Sequence, residues 1–163
     1  MQAREIRRRA QSNLILRLLD EAYRSEGRLR VESLAEGTIV LFYRDVRTLV
    51  CRRRVFEFAT RDCAVAISIP DEWPFRRKAM LVPVLLHPRD FAHPNSDGHF
   101  FCIDTAGVRP ARLPGLVYQN LALWPGHFRL DDCVDRAASE FVRAHLKDLP
   151  ADPRPLVRDG GPV

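Results

Sequence analysis

Residues 87–104, HPRDFAHPNSDGHFFCID, hold three of the five histidines and one of the four cysteines, with an asparagine and turn-forming residues between them. A thiol such as Cys102 is an intrinsically good nucleophile even when only a few per cent of it is thiolate, as at an ordinary pKa near 8.5. An amide side chain such as that of Asn95 both donates and accepts hydrogen bonds. Asp97-Gly98, between the two, is a turn-forming pair that can fold the chain so that Asn95 and Cys102 converge. The same stretch also reads H-x5-H-x5-H-x2-C, from His87, His93, His99 and Cys102. Zinc accepts both residue types, but its structural sites favour tighter paired spacings, so no metal is expected. A cysteine hydrolase in which His93 or His99 activates Cys102 is a further option. Cys51, Cys63 and Cys133 form no C-x-x-C pair with each other or with Cys102 and read as free thiols.

The elements that must position this stretch follow from periodicity. Residues 3–24 predict an amphipathic helix, with Ile6, Ala10, Leu14, Leu18 and Ala22 spaced by four and Ile15, Leu19 and Tyr23 widening the stripe. Arg4, Arg7, Arg8, Arg9 and Arg17 decorate its remaining surface, and Gly27 is its stop. From 28 to 69 the period changes to two. Strands are expected near 29–35, 38–44, 48–58 and 63–69, separated by Glu36-Gly37, Arg44-Asp45 and Arg61-Asp62. Connections this short imply an antiparallel meander, since parallel pairs need a dozen or more linking residues. An apolar segment at 79–86 contains Pro83, which suits an edge strand. The prolines and glycines of 87–129 predict a long region with little regular structure, and loops of that length in a compact domain usually carry function. A last helix is expected at about 131–148, capped by Asp131 or Asp132, followed by a flexible Pro/Gly-rich tail over 151–163.

In this order the motifs resemble those of the ubiquitin-conjugating enzymes. That family carries an SFP-x-x-YPF turn after a strand, another strand, a His-Pro-Asn tripeptide, and a catalytic Cys followed by Leu-Asp. Here stand Ser68-Ile69-Pro70-Asp71-Glu72-Trp73-Pro74-Phe75, the segment 79–86, His93-Pro94-Asn95 and Cys102-Ile103-Asp104. The resemblance covers roughly residues 62–104. It implies that Cys102 accepts the C-terminus of a ubiquitin-like protein as a thioester, with Asn95 either donating to the carbonyl oxygen that gains negative charge or holding the loop in shape, and with His93, Pro94, Asp97 and Gly98 in the supporting loop. It implies that Phe75 contacts a ligase and that the basic first helix, through Arg4, Arg7 and Arg8, docks on an activating enzyme. An acidic residue near the incoming amine is also implied; Asp131, Asp132 and Asp152 are not ranked by sequence. Asn95 and Cys102 are seven positions apart, one fewer than in eukaryotic members, and the family's Trp after the Cys corresponds to Trp124 only across an insertion within 105–123. Such departures imply a divergent, bacterial branch.

Composition bounds the rest. The 163 residues are 46% hydrophobic and 29% charged, enough apolar content for one packed domain rather than a disordered chain. Basic residues exceed acidic ones, 26 to 21, and only Lys78 and Lys147 are lysines. A net charge of +5 is modest for a nucleic-acid binder. No apolar run approaches the ~20 residues of a membrane span, and no secretory leader is read at the N-terminus, so a cytoplasmic location is expected. The expectation is an α+β domain over 1–150 with a ubiquitin-conjugating-type layout: N-terminal helix, antiparallel four- to five-stranded meander, active-site loop and C-terminal helix. Its expected work is transfer of a ubiquitin-like protein from an ATP-dependent activating enzyme, through Cys102, to an amine, with a ligase or target protein as further partner. No cofactor is implied. The rival from another class is an inert module of the same fold that binds a ubiquitin-like protein.

Overall fold

The computed structural model describes residues 2–35, 37–73, 75, 81–103, 108 and 112–157. The first helix, α1 (Gln2–Arg24), ends where predicted: Glu26 and Gly27 take positive φ of 54° and 83°. Ser25 closes the end, its hydroxyl donating to the Ala22 carbonyl at 2.6 Å and accepting from the Leu29 amide at 2.9 Å. The stripe is narrower than its sequence suggests. Leu14 and Leu18 are fully buried and Ile15 and Ala22 pack at their side, but Ile6, Leu19 and Tyr23 face solvent. α1 packs against a sheet edge, and so only a narrow line of its surface is covered.

Four strands follow in an antiparallel sheet of order β1-β2-β3-β4: β1 (Leu29–Ala35), β2 (Thr38–Arg52), β3 (Val55–Ser68) and β4 (Val82–His87). The β1–β2 turn uses Gly37 at φ 81°, whose carbonyl accepts from the Ile69 amide at 2.7 Å. The expected turns at Arg44-Asp45 and Arg61-Asp62 are not turns. They face each other in a bulge within one long hairpin, where the register shifts between Tyr43 and Val46. Asp45 adopts φ 53° there and its amide donates to Asp62 Oδ1 at 3.1 Å. The chain reverses instead at Arg53-Arg54, both left-handed (φ 50° and 67°), within what reads as one strand over 48–58. Of the segment expected at 79–86, residues 79 and 80 lie outside the described residues, and Pro83 sits in β4 opposite Ile67.

The region 87–129 contains a helix that its prolines and glycines hide. α2 (Leu113–Leu121) starts with Pro114 in the first turn, where a missing N–H costs nothing. Leu113, Val117 and Leu121 are fully buried against the sheet, so this half of the expected insertion is core; 104–107 and 109–111 lie outside the described residues. The last helix, α3 (Arg136–Ala144), is shorter than expected. Its cap is Asp135, which accepts from the Ala138 amide at 3.0 Å, rather than Asp131 or Asp132. α3 covers the outer half of the β2–β3 hairpin, with Ala138 and Val142 against Leu49 and the Phe141 ring beside Phe56 and Phe58.

The segment 151–157, expected to begin a flexible tail, is packed. Ala151 and Asp152 are 1% exposed and Leu156 is in the main core. The Ala151 amide donates to the Ala122 carbonyl at 2.8 Å, and Trp124 Nε1 donates to the Asp152 carbonyl at 3.0 Å. Residues 158–163, with Gly160-Gly161, lie outside the described residues. No helix among the described residues is long and apolar enough to cross a membrane.

Candidate functional site

The loop from Phe91 to Ile103 is built around a short two-stranded turn. The Cys102 amide donates to the Asn95 carbonyl at 2.9 Å, and Ser96 bridges to Phe101. Asp97 makes the reversal: its carboxylate accepts from the amides of His99 at 2.9 Å and Phe100 at 2.7 Å, while Gly98 takes φ 90°. The two amides hold the Asp97 carboxyl below its usual range. Ser96 adds a second clasp, its hydroxyl donating to the Phe100 carbonyl at 2.8 Å and accepting from the Gly98 amide at 3.1 Å. The turn predicted at Asp97-Gly98 thus brings Asn95 and Cys102 together. β4 supports the returning arm: the Leu85 amide donates to His99 O at 2.8 Å and the Phe101 amide to Pro83 O at 3.3 Å. Phe101, 2% exposed, anchors that arm in the core, and the next residue, Cys102, is left exposed.

His93 lies beneath the loop. It is completely buried, stacked on Phe91 at 6.0 Å and edge-on to Phe101 at 4.8 Å. Its Nδ1 accepts from the Asn95 amide at 3.0 Å, which leaves the proton on Nε2. Nε2 makes no tight hydrogen bond, and the Asn120 main chain is its polar neighbour. Burial without a charged partner pushes the imidazole pKa down to about 3, so the ring is neutral. A neutral, buried ring whose Nδ1 is occupied is a strut for the loop rather than a base for an exposed thiol. Among the described residues no group of three or more His, Cys, Asp or Glu could hold a metal ion.

Asn95 is 6% exposed, and its side chain reaches into a second loop. Nδ2 donates to the carbonyls of Arg129 at 3.0 Å and Asp132 at 3.1 Å, and Oδ1 accepts from the Arg129 amide at 2.8 Å. The Pro94 carbonyl extends the seam, accepting from the amides of Val134 at 2.7 Å and Asp135 at 3.0 Å. Residues 129–135 are therefore laid alongside Asn95, opposite the arm that carries Cys102. Both amide hydrogens of Asn95 are committed, so donation to an oxyanion requires release of one of them. Sequence reasoning left out Arg129, whose contribution is made entirely by its main chain.

The three acidic candidates separate clearly. Asp152 is buried among Arg154, Arg28 and the Arg47 amide. Asp131 pairs with Arg143. Asp132 stands beside the Asn95 clamp, 89% exposed, with Arg129 at a loose 3.9 Å. The other cysteines differ from Cys102: Cys63 is buried, which together with Asp62 pushes its thiol up to about 12, and Cys51 and Cys133 are half-buried. Of the expected docking residues, Arg4 and Arg8 are exposed and Phe75 is 52% exposed. Arg7 is instead tied to Asp71 at 2.6 Å with its guanidinium partly covered. No family model, curated protein or solved structure matches the chain.

Proposed function

We propose that the chain is a conjugating enzyme for a ubiquitin-like protein, with Cys102 as the acyl acceptor. One observation carries the reading: an exposed thiol is fixed by its own main chain to a His-Pro-Asn turn whose Asn side chain holds an acidic loop alongside. In the first step the Cys102 thiolate attacks the thioester carbonyl of a cargo held by an ATP-dependent activating enzyme. A new C–S bond forms and the activating enzyme's thiol leaves. In the second step an amine attacks the new thioester, the C–S bond breaks, and Cys102 is released as the thiol while the nitrogen loses a proton. Asp132, next to the clamp and weakly paired, is the carboxylate to which this reading gives removal of that proton or steering of the amine. Asn95 acts as a positioning residue, fixing the 129–132 loop against the Cys102 arm.

The rival, an inert binding module of the same fold, draws on the full engagement of the Asn95 amide. A non-reducing gel decides between them. With an ATP-dependent activating enzyme, a ubiquitin-like cargo and ATP, the chain should give an adduct that reductant cleaves. Cys102→Ser should give a slower, reductant-resistant ester and Cys102→Ala none. Absence of any adduct with binding of the cargo retained would favour the inert module, and an adduct lost only in a Cys51 or Cys133 variant would move the site.

A further inference from the structure

The outward side of α1 carries a second stripe that the core does not use. Leu16, Leu19 and Tyr23 are 63%, 47% and 87% exposed, and their spacing of three and four places them in one line along the helix. This is the a/d spacing of a helix that packs on another helix. Leu14 and Leu18, the buried pair, lie on the opposite side against the sheet, so among the described residues this line is left out of the core.

Charge selects the occupant. The first half of α1, residues 2–13, has four arginines against one glutamate. The second half, 14–24, is balanced: Arg17 and Arg24 against Asp20 and Glu21. We propose that this line is a self-association surface on which the C-terminal halves of two α1 helices pack antiparallel, centred on Leu19. That register sets Leu19 near Leu19 of a second copy and Leu16 opposite its Tyr23. It brings Asp20 within about two residues, ~3 Å of axial rise, of Arg17 in the other copy. Neither Asp20 nor Arg17 forms an ion pair among the described residues. A parallel pair would set the two arginine-rich halves side by side, whereas the antiparallel one sends them to opposite ends and leaves Arg4 and Arg8 accessible. Three apolar residues per copy fall short of a standard interface of ~1,600 Å², so a dissociation constant on the order of 10–100 µM is expected.

Sedimentation equilibrium of the full chain over a concentration series tests this. The wild type should move from monomer to dimer mass across that range. Leu19→Glu and Tyr23→Glu should each stay monomeric with an unchanged far-UV circular dichroism spectrum, since both side chains are exposed. Asp20→Arg should weaken the dimer several-fold and Asp20→Arg with Arg17→Asp should restore it. A wild type that remains monomeric at about 500 µM, or a dimer indifferent to Leu19→Glu, overturns the proposal; a charge swap without rescue overturns the antiparallel register.

Discussion

Asn95 joins Cys102 through its main chain and Asp132 through its side chain, at 2.9 Å and 3.1 Å, so one residue links the backbone that carries an exposed thiol to the backbone that carries an exposed carboxylate. Its carbonyl accepts from the Cys102 amide and its side-chain amide donates to the Asp132 carbonyl, while the neighbouring Pro94 carbonyl adds a parallel link to Val134 and Asp135.

Truncating Asn95 to Ala removes three hydrogen bonds and leaves the Arg129 amide and two carbonyls without their partner. At ~0.5–1.5 kcal/mol each, the loss should be about 2–4 kcal/mol by urea unfolding. Asn95→Asp should be worse than an isosteric change suggests, because an oxygen would then face the carbonyls of Arg129 and Asp132. Stability of Asn95→Ala within 0.5 kcal/mol (about the scatter of a surface substitution) would mean that the clamp carries little.

Asp132→Asn should reduce discharge of the Cys102 adduct to an amine while leaving its formation and the fold unchanged, since the carboxylate is exposed and only loosely paired. A loss of about 10–100-fold is the scale of a modest general-base contribution. Asp131→Asn is the control, its carboxylate being held by Arg143. Single-turnover discharge at several pH values separates proton removal from simple loss of affinity.

Buried His93 makes the fold acid-sensitive. Its imidazole is neutral in the native state down to about pH 3, whereas in the unfolded chain it binds a proton below about 6.5. Between those values the unfolded state holds more protons, so this contribution to stability falls as pH is lowered, by up to about 1.4 kcal/mol per unit. His93→Gln should lower stability at pH 7 and flatten the slope of stability against pH between 6.5 and 3. An unchanged slope would mean that the ring is reached by solvent.

Asp152 ties the segment 151–157 to Arg28, just before β1, and to Arg47 in β2. Burial raises its pKa, but hydrogen bonds from Arg154 and the Arg47 amide outweigh that, and the carboxyl titrates below its ordinary value. Its contribution is present above the unfolded-state value and is lost as pH falls through the native one. Asp152→Ala should cost about 1.5–3 kcal/mol by removing its hydrogen bonds from Arg154 and the Arg47 amide. Limited proteolysis should then cut first within 149–157.

The tip of the β2–β3 hairpin is strained. Arg53 and Arg54 both occupy left-handed conformations that two-residue hairpin turns demand and that arginine adopts at a cost. Arg53→Asn with Arg54→Gly should raise stability by about 0.5–2 kcal/mol, read from the urea midpoint. A neutral or destabilising result would show that the tip's side chains make contacts of their own.

The sequence by itself determined the first helix and its end, because a 3.6-residue period and a glycine stop are local signals. It determined the antiparallel sheet, because its connections are too short for crossovers, and the approach of Asn95 to Cys102, because Asp97-Gly98 turns the chain within a few residues. The hairpin reversal was hidden because Arg53-Arg54 is not a turn-forming pair; the bulge drew the turn assignment to Arg44-Asp45 and Arg61-Asp62, whose residues do favour turns. α2 was masked by Pro114, which breaks a helix interior but not its first turn. Only the tertiary structure decided which acids are exposed and which are consumed, that Asn95 spends its whole side chain on main-chain groups from Arg129 and Asp132, and that Leu19 and Tyr23 face outward. Those outcomes depend on contacts between residues tens of positions apart, and burial of an amide, a carboxylate or one face of a helix is fixed by what the rest of the chain lays against it.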